Sequence, residues 1–213
     1  VTMLTLHHLN NSRSQKIVWL LEELELDYRL ECYQRDPETL LGPPELKRLH
    51  TLGKAPVLED EGGVVLGESG AIVDYVLDRH GGGRLSIDPA DPRRARFLEC
   101  LYLAVSGGMN PIMIKVYCSA FGLKECAMDQ AASAELAKVL CYIEELLGSG
   151  EYLLGEDFTV ADIQMSFIPE LATAIGCAGE HPVIRHWQQR IYARPGFHRA
   201  IARGGQYDFA APV

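Results

Sequence analysis

The feature that most constrains this 213-residue chain is a glycine and proline break, Gly81-Gly82-Gly83 followed by Asp88-Pro89-Ala90-Asp91-Pro92. It separates two stretches with different hydrophobic periods. Before it, short runs of period two alternate with helical stripes. After it, only the helical period remains. The expectation is an α/β module over residues 1–82 and an all-helical module over residues 92–213.

Within the first module the run from Met3 to Leu9 reads as a strand. Ile17, Leu20, Leu21 and Leu24 then form the apolar stripe of a helix, widened by Val18 and Trp19, so this helix should be covered on more than one side. Tyr28 to Tyr33 reads as a second strand and Glu45 to His50 as a short helix. Val57-Leu58 and Val64-Val65-Leu66 flank Glu61-Gly62-Gly63 as a hairpin, and Glu68 to His80 is helical. The order βαβαββα implies a mixed sheet with helices on its faces. In the second module, Arg93 to Cys118 reads as one long helix bent near Gly107-Gly108 and Pro111. Helices over 131–147, 159–174, 182–193 and 195–203 follow.

With 47% hydrophobic and 23% charged residues, the chain has enough apolar surface to fold. Its 20 Lys and Arg against 29 Asp and Glu give a net charge of −9, which argues against nucleic acid as a partner. No apolar run approaching the ~20 residues of a membrane span is read, and residues 1–8 lack the pattern of a signal peptide. A cytoplasmic protein is expected. The cysteines at 32, 100, 118, 126, 141 and 177 match no metal spacing and are expected to be reduced, mostly buried thiols. No metal is expected.

Four segments carry chemistry. Thr159-Val160-Ala161-Asp162 is a capping box, with Phe158 and Ile163 placed for a hydrophobic staple; the role read for Asp162 is structural. Gly53-Lys54-Ala55-Pro56-Val57-Leu58 puts a proline at the mouth of a strand. A cis Ala55–Pro56 bond would leave the Ala55 backbone free to pair with an extended ligand; an ordinary trans edge proline is the simpler alternative. Glu68-Ser69 opens a helix, where backbone N–H groups and the Ser69 hydroxyl suit a carboxylate and Glu68 suits an ammonium group, as in an amino-acid head group. Asn10-Asn11-Ser12-Arg13-Ser14-Gln15 sets small polar side chains at another positive helix end, which would favour a thiolate.

Taken together and in this order, these segments resemble the glutathione S-transferase superfamily over essentially the whole chain. Gly53 to Leu58 is similar to its cis-proline strand, and Glu68-Ser69 to the pair that holds the γ-glutamyl group. Phe158 to Asp162 is similar to its capping box and staple, and His181-Pro182-Val183 through Arg194-Pro195 to its C-terminal helix pair. Within the superfamily, Leu9 to Ser14 followed by Trp19 to Leu24 looks closest to the Gtt-type transferases of fungi and bacteria. The resemblance implies a thioredoxin-like domain followed by a helical bundle, a two-fold homodimer, and glutathione as co-substrate. It also implies conjugation of glutathione to small hydrophobic electrophiles, the chemistry of detoxification.

Carried over by motif, Lys54, Ala55, Pro56, Glu68 and Ser69 would bind glutathione. The loop between the first strand and the first helix holds neither tyrosine nor cysteine, so Ser12 becomes the thiolate donor. Alignment on the first helix instead puts Asn11 at the catalytic serine's place, which resembles members with stronger disulfide-reductase or peroxidase activity. A glutathione-binding regulatory protein with little turnover is the alternative of another class. Lowering a thiol pKa by about two units needs roughly 2.7 kcal/mol, within reach of one charge-assisted hydrogen bond plus a helix dipole. The electrophile pocket is expected between the modules, lined by Tyr102, Ser106, Met109, Asn110 and Met113, with Tyr117 on the same side of one helix and Gln206 to Phe209 near the opening.

Overall fold

The structure, a computed structural model, describes residues 4–39 and 41–210 and divides into two compact units. One unit contains residues up to Ser86 together with Tyr192–Asp208; the other contains Ile87–Ile191 and the segment from Phe209. Met3, the first residue of the expected strand, lies outside the described residues.

The first unit is built from β1 (Leu4–Leu9), α1 (Ser14–Glu23), β2 (Tyr28–Tyr33), α2 (Glu45–Leu49), β3 (Val57–Asp60), β4 (Val64–Leu66) and α3 (Ser69–His80). The strands lie in the order β2-β1-β3-β4, with β1 parallel to β2 and the other two pairs antiparallel. This is the thioredoxin-like arrangement. Leu6 of β1 sits between Leu30 and Leu58, so the central strand is buried from both sides. The β3–β4 connection is a single 3-10 turn in which Gly62 and Gly63 adopt left-handed φ values of 70° and 79°, conformations that glycine reaches without a Cβ clash.

Helix α1 is buried over nearly its whole length, its polar face included. The reason is α10 (Pro195–Gly204), the last helix in sequence, which packs on it. The Trp19 ring meets Phe197 edge-on at 4.9 Å. Arg194 donates to both oxygens of Glu23 at 2.9 Å, and Arg199 and Arg203 donate to Glu22 at 3.1 and 2.9 Å. Glu22 also accepts from the Tyr28 hydroxyl at 2.7 Å. Both arginines are partly exposed, so water moderates these ion pairs. Glu22→Ala is expected to cost about 2 kcal/mol, mainly through the buried Tyr28 hydroxyl left without its acceptor. Urea denaturation reads this directly, and a loss below about 0.5 kcal/mol would show that α10 is held by its apolar contacts alone.

The second unit is helical: α4 (Arg94–Val105), α5 (Met109–Ala120), α6 (Ala127–Leu147), α7 (Val160–Met165), α8 (Phe167–Ala174) and α9 (Pro182–Tyr192). Two expectations are corrected here. The long helix expected from Arg93 is two helices of 12 residues, broken at Ser106 with φ −125° and ψ −91°. Pro111 is not the break; it sits in the first turn of α5, where a missing N–H costs little. Gly108 marks the break because a Cβ there would stand 2.4 Å from Ile168 Cδ1 and 2.9 Å from the Leu103 carbonyl. The stretch 94–120 does have the length and apolar composition of a membrane span, contrary to the sequence reading. Each of its two helices rises only about 18 Å, against a hydrocarbon core of about 30 Å. The helix expected over 159–174 is also divided, at Ser166, whose hydroxyl donates to the Ile163 carbonyl at 3.1 Å and lies 3.1 Å from Glu170 Oε1.

The cysteines are a further correction. All six are thiols, but only Cys100 and Cys118 are buried; Cys32 and Cys141 are exposed and Cys126 and Cys177 half-buried.

Candidate functional site

The β1–α1 turn is shaped by Asn11, whose φ of 48° lies in the left-handed region that asparagine tolerates better than most residues. This reversal lets the Ser12 hydroxyl accept from the Ser14 amide at 3.1 Å. A buried chain of polar atoms runs on from there. His8 Nε2 lies 3.0 Å from the Gly204 carbonyl, which can only accept, so that nitrogen carries the proton. His8 Nδ1 is therefore bare and takes the Ser14 hydroxyl proton at 2.8 Å. With Ser14 so oriented, its oxygen accepts from the Leu9 amide at 3.1 Å, and the Ser12 proton goes to Ser14 at 2.7 Å or to the Leu9 carbonyl at 2.8 Å. Ser12 is 7% exposed, and its hydroxyl is bound inside the turn.

Asn11 is bound as well. Its amide nitrogen donates to Asp208 Oδ2 at 2.8 Å and its oxygen accepts from the Asp208 amide at 2.8 Å. The segment after α10 thus returns to the turn within the same unit, with Tyr207 buried and its ring 5.5 Å from Lys16 Nζ. Arg35 secures the other side, donating to the carbonyls of Asn10 and Asn11 at 3.2 and 3.0 Å while its amide donates to Asn10 Oδ1 at 2.9 Å.

The other sequence-predicted glutathione residues lie in this unit too. The Ala55–Pro56 bond is cis, so the simpler trans alternative is set aside. Pro56 is buried at the entry to β3, and Lys54 is exposed beside it. Glu68 has a φ of 64° and precedes Ser69, the buried first residue of the 12-residue α3. Gly67 lets the His50 ring come close, since a Cβ there would stand 3.0 Å from it.

Sequence reasoning missed one charged residue of the turn. Burial draws the pKa of the half-buried Arg13 down, and the charge of Glu68 at the start of α3 acts against that. The signal was available, a lone cation between Ser12 and Ser14 at a positive helix end, but only the fold brings the charge of Glu68 to bear on it. Arg35 carried no signal at all.

The electrophile residues fare differently. They do not share one helix face, because the break at 106–108 changes the helical phase between Tyr102 and Met109. Met109 is 1% exposed and belongs to the core of the second unit, a correction to its expected lining role. Tyr102 is 63% exposed, Asn110 is exposed, Met113 is half-buried, and the Ser106 hydroxyl donates to the Tyr102 carbonyl at 2.6 Å. Among the described residues, no three His, Cys, Asp or Glu side chains group as metal ligands would.

A thioredoxin-like unit with a cis-proline strand and an acidic–serine helix start, joined to a helical unit with a buried capping box, defines a class of thiol-handling proteins. Residues 12–79 match the family described as glutathione S-transferase, N-terminal domain, and residues 109–195 match glutathione S-transferase, C-terminal domain. Glutathione S-transferase 3 of Schizosaccharomyces pombe is 33% identical, covering 91% of this chain and 84% of its own. The disulfide-bond oxidoreductase YfcG of Escherichia coli is 26% identical over 94% and 95% of the two chains. A glutathione S-transferase structure from Actinobacillus pleuropneumoniae superposes with a TM-score of 0.89 at 29% identity, covering 99% of this chain and 97% of that one. The chain belongs to the glutathione S-transferase family.

Proposed function

We propose that the chain conjugates the glutathione thiolate to small hydrophobic electrophiles. The observation that carries this reading is the cis Ala55–Pro56 bond at the entry to β3, with Glu68 and Ser69 opening α3 in the same unit. Glutathione's γ-glutamyl end offers an ammonium group to Glu68 and a carboxylate to Ser69 and the α3 amides. Its thiolate then falls to the positive end of α1. Lys54 and the Ala55 backbone, beside the cis bond to Pro56, serve the peptide portion. Tyr102, Ser106, Asn110 and Met113 serve the electrophile, and two copies of the chain form the dimer usual in this family.

Ser12 and Asn11 compete as thiolate donors, and the freedom of each group favours Ser12. Ser12 can turn its hydroxyl toward a sulfur by releasing one neutral hydrogen bond. Asn11 keeps a second N–H beyond the one given to Asp208, but two bonds to Asp208 fix the direction of its amide. Ser12→Ala is therefore expected to lower conjugation of chloro-dinitrobenzene by about tenfold to a hundredfold, equivalent to roughly 1.4–2.7 kcal/mol. Asn11→Ala should leave conjugation within about threefold, a difference of roughly 0.7 kcal/mol. Full activity in both variants would sink the donor assignment, and no glutathione binding by calorimetry would remove the reading altogether.

Glutathione-dependent disulfide reduction is the second reading, favoured by the similarity to a disulfide-bond oxidoreductase. Faster turnover of hydroxyethyl disulfide than of chloro-dinitrobenzene, lost on Asn11→Ala, would put it first. Binding with negligible turnover of both substrates would point to a regulatory protein.

A further inference from the structure

In the second unit, α5 and α6 flank a short turn, and an ion pair sets their register. Lys115 Nζ donates to Asp129 Oδ1 at 2.9 Å and to Ser133 Oγ at 2.7 Å. One helical turn closer to the connection stand Cys118, three residues after Lys115, and Cys126, three residues before Asp129. Residues three apart share a helix face, so the faces joined by the ion pair present these two side chains to each other. Each thiol lies close enough to feel the charge of the other. The turn between them is closed by Leu123 N–H to the Cys118 carbonyl at 2.7 Å and Cys126 N–H to the Leu123 carbonyl at 3.4 Å.

The two thiols are not equivalent. Cys118 has no exposed surface, whereas Cys126 is half-buried and stands at the N-cap position of the 21-residue α6. We propose that Cys118 and Cys126 are a dithiol switch, which oxidised glutathione or a similar small disulfide converts into an intramolecular disulfide across the α5–α6 turn. In the first step the Cys126 thiolate attacks one sulfur of oxidised glutathione. The glutathione disulfide breaks, one glutathione thiolate leaves, and a mixed disulfide remains on Cys126. Cys118 then loses its proton to the departed thiolate and attacks the Cys126 sulfur, releasing the second glutathione as thiolate, which takes the proton lost by Cys126. The protein gives up two electrons and two protons, and one oxidised glutathione becomes two reduced ones.

The electrostatics agree with this order of events. The Asp129 amide, more than the Met128 amide or the Cys118 thiol, draws the Cys126 thiol below its ordinary value, against the effect of burial. Burial, with Cys126 beside it, pushes Cys118 up. The accessible sulfur is the better thiolate, as an attacking thiol must be, and the hidden one resolves. The switch needs only these two residues and a disulfide oxidant, so it stands apart from the conjugation reading.

The test is to treat the reduced full-length protein with oxidised glutathione, block free thiols with N-ethylmaleimide under denaturing conditions, and map the peptides by mass spectrometry. Wild type should yield a Cys118–Cys126 disulfide with no glutathionyl group on either. Cys118→Ser should trap one glutathionyl group on Cys126, and Cys126→Ser should leave Cys118 open to N-ethylmaleimide. Circular dichroism of each variant checks that the fold is kept. Alkylation of both cysteines in treated wild type would overturn the proposal. So would pairing of either with Cys177, whose charge also acts on Lys115.

Discussion

Replacing Asp162 by alanine is expected to destabilise the second unit by about 3–5 kcal/mol, the largest effect of any single substitution considered. Asp162 has no exposed surface, and four donors converge on its carboxylate. Oδ1 accepts from the Leu153 amide and the Trp187 indole, both at 3.0 Å. Oδ2 accepts from the Thr159 amide at 3.0 Å and lies 3.3 Å from the Thr159 hydroxyl. The capping box is thus only half of its role; the same side chain also fastens the 151–155 loop and α9 to the start of α7. Alanine would strand three buried N–H groups, each worth about 1–3 kcal/mol when left unpaired. Burial opposes the charge of Asp162 and raises its pKa, so removing the carboxylate returns part of that loss. For a chain of this length, 3 kcal/mol corresponds to a fall in Tm of roughly 6–12 °C. Asp162→Asn keeps an acceptor for Leu153 and Trp187 but turns an N–H toward the Thr159 donors, so it should also lose more than about 2 kcal/mol. Both variants melting within about 1 kcal/mol of wild type would show that the converging donors contribute little.

The second expected result is a loss of stability on mild acidification, traceable to His8. Burial lowers the His8 pKa from 6.5 to about 4, partly offset by its hydrogen bond to the Gly204 carbonyl. The unfolded chain takes up this proton near pH 6.5, while the folded chain resists it until about pH 4. Stability from this residue is therefore complete above pH 6.5 and declines as pH falls toward 4, by about 3 kcal/mol in all. The physical cost is local. A protonated His8 would present a second N–H to Ser14, whose hydroxyl now donates to it. Carboxylates such as Asp60, Asp91 and Asp129 have pKa values drawn below 3.8, so their stabilising contribution is lost at still lower pH and does not overlap this window. Urea denaturation between pH 7 and 4.5 should show a steep fall for wild type and a much flatter profile for His8→Gln, which starts less stable. Equal slopes in the two proteins would remove His8 as the cause.

Most of the site was legible along the chain because its parts are local signals. A proline at a strand mouth, an acidic residue and serine at a helix start, and Thr159 three residues ahead of Asp162 each state their geometry within a few residues. The helix boundaries in 93–120 and 159–174 were less legible. The apolar period continues through Ser106 and Ser166, and the breaks come from contacts such as Gly108 against Ile168, between residues 60 positions apart. Met109 was misplaced for the same reason, since its face depends on the phase after the break.

The sequence by itself determined the order of elements, the change from an α/β to a helical part, and the candidate segments of the site. All of these follow from periodicity and from the backbone demands of glycine, proline and capping residues. Only the tertiary structure decided which side chains meet. It placed α10 on α1, tied Asn11 to Asp208, bound the Ser12 hydroxyl inside its own turn and joined Lys115 of α5 to Asp129 of α6. Each of these pairings depends on how helices and strands pack after they form, and that packing has no period for a sequence to display.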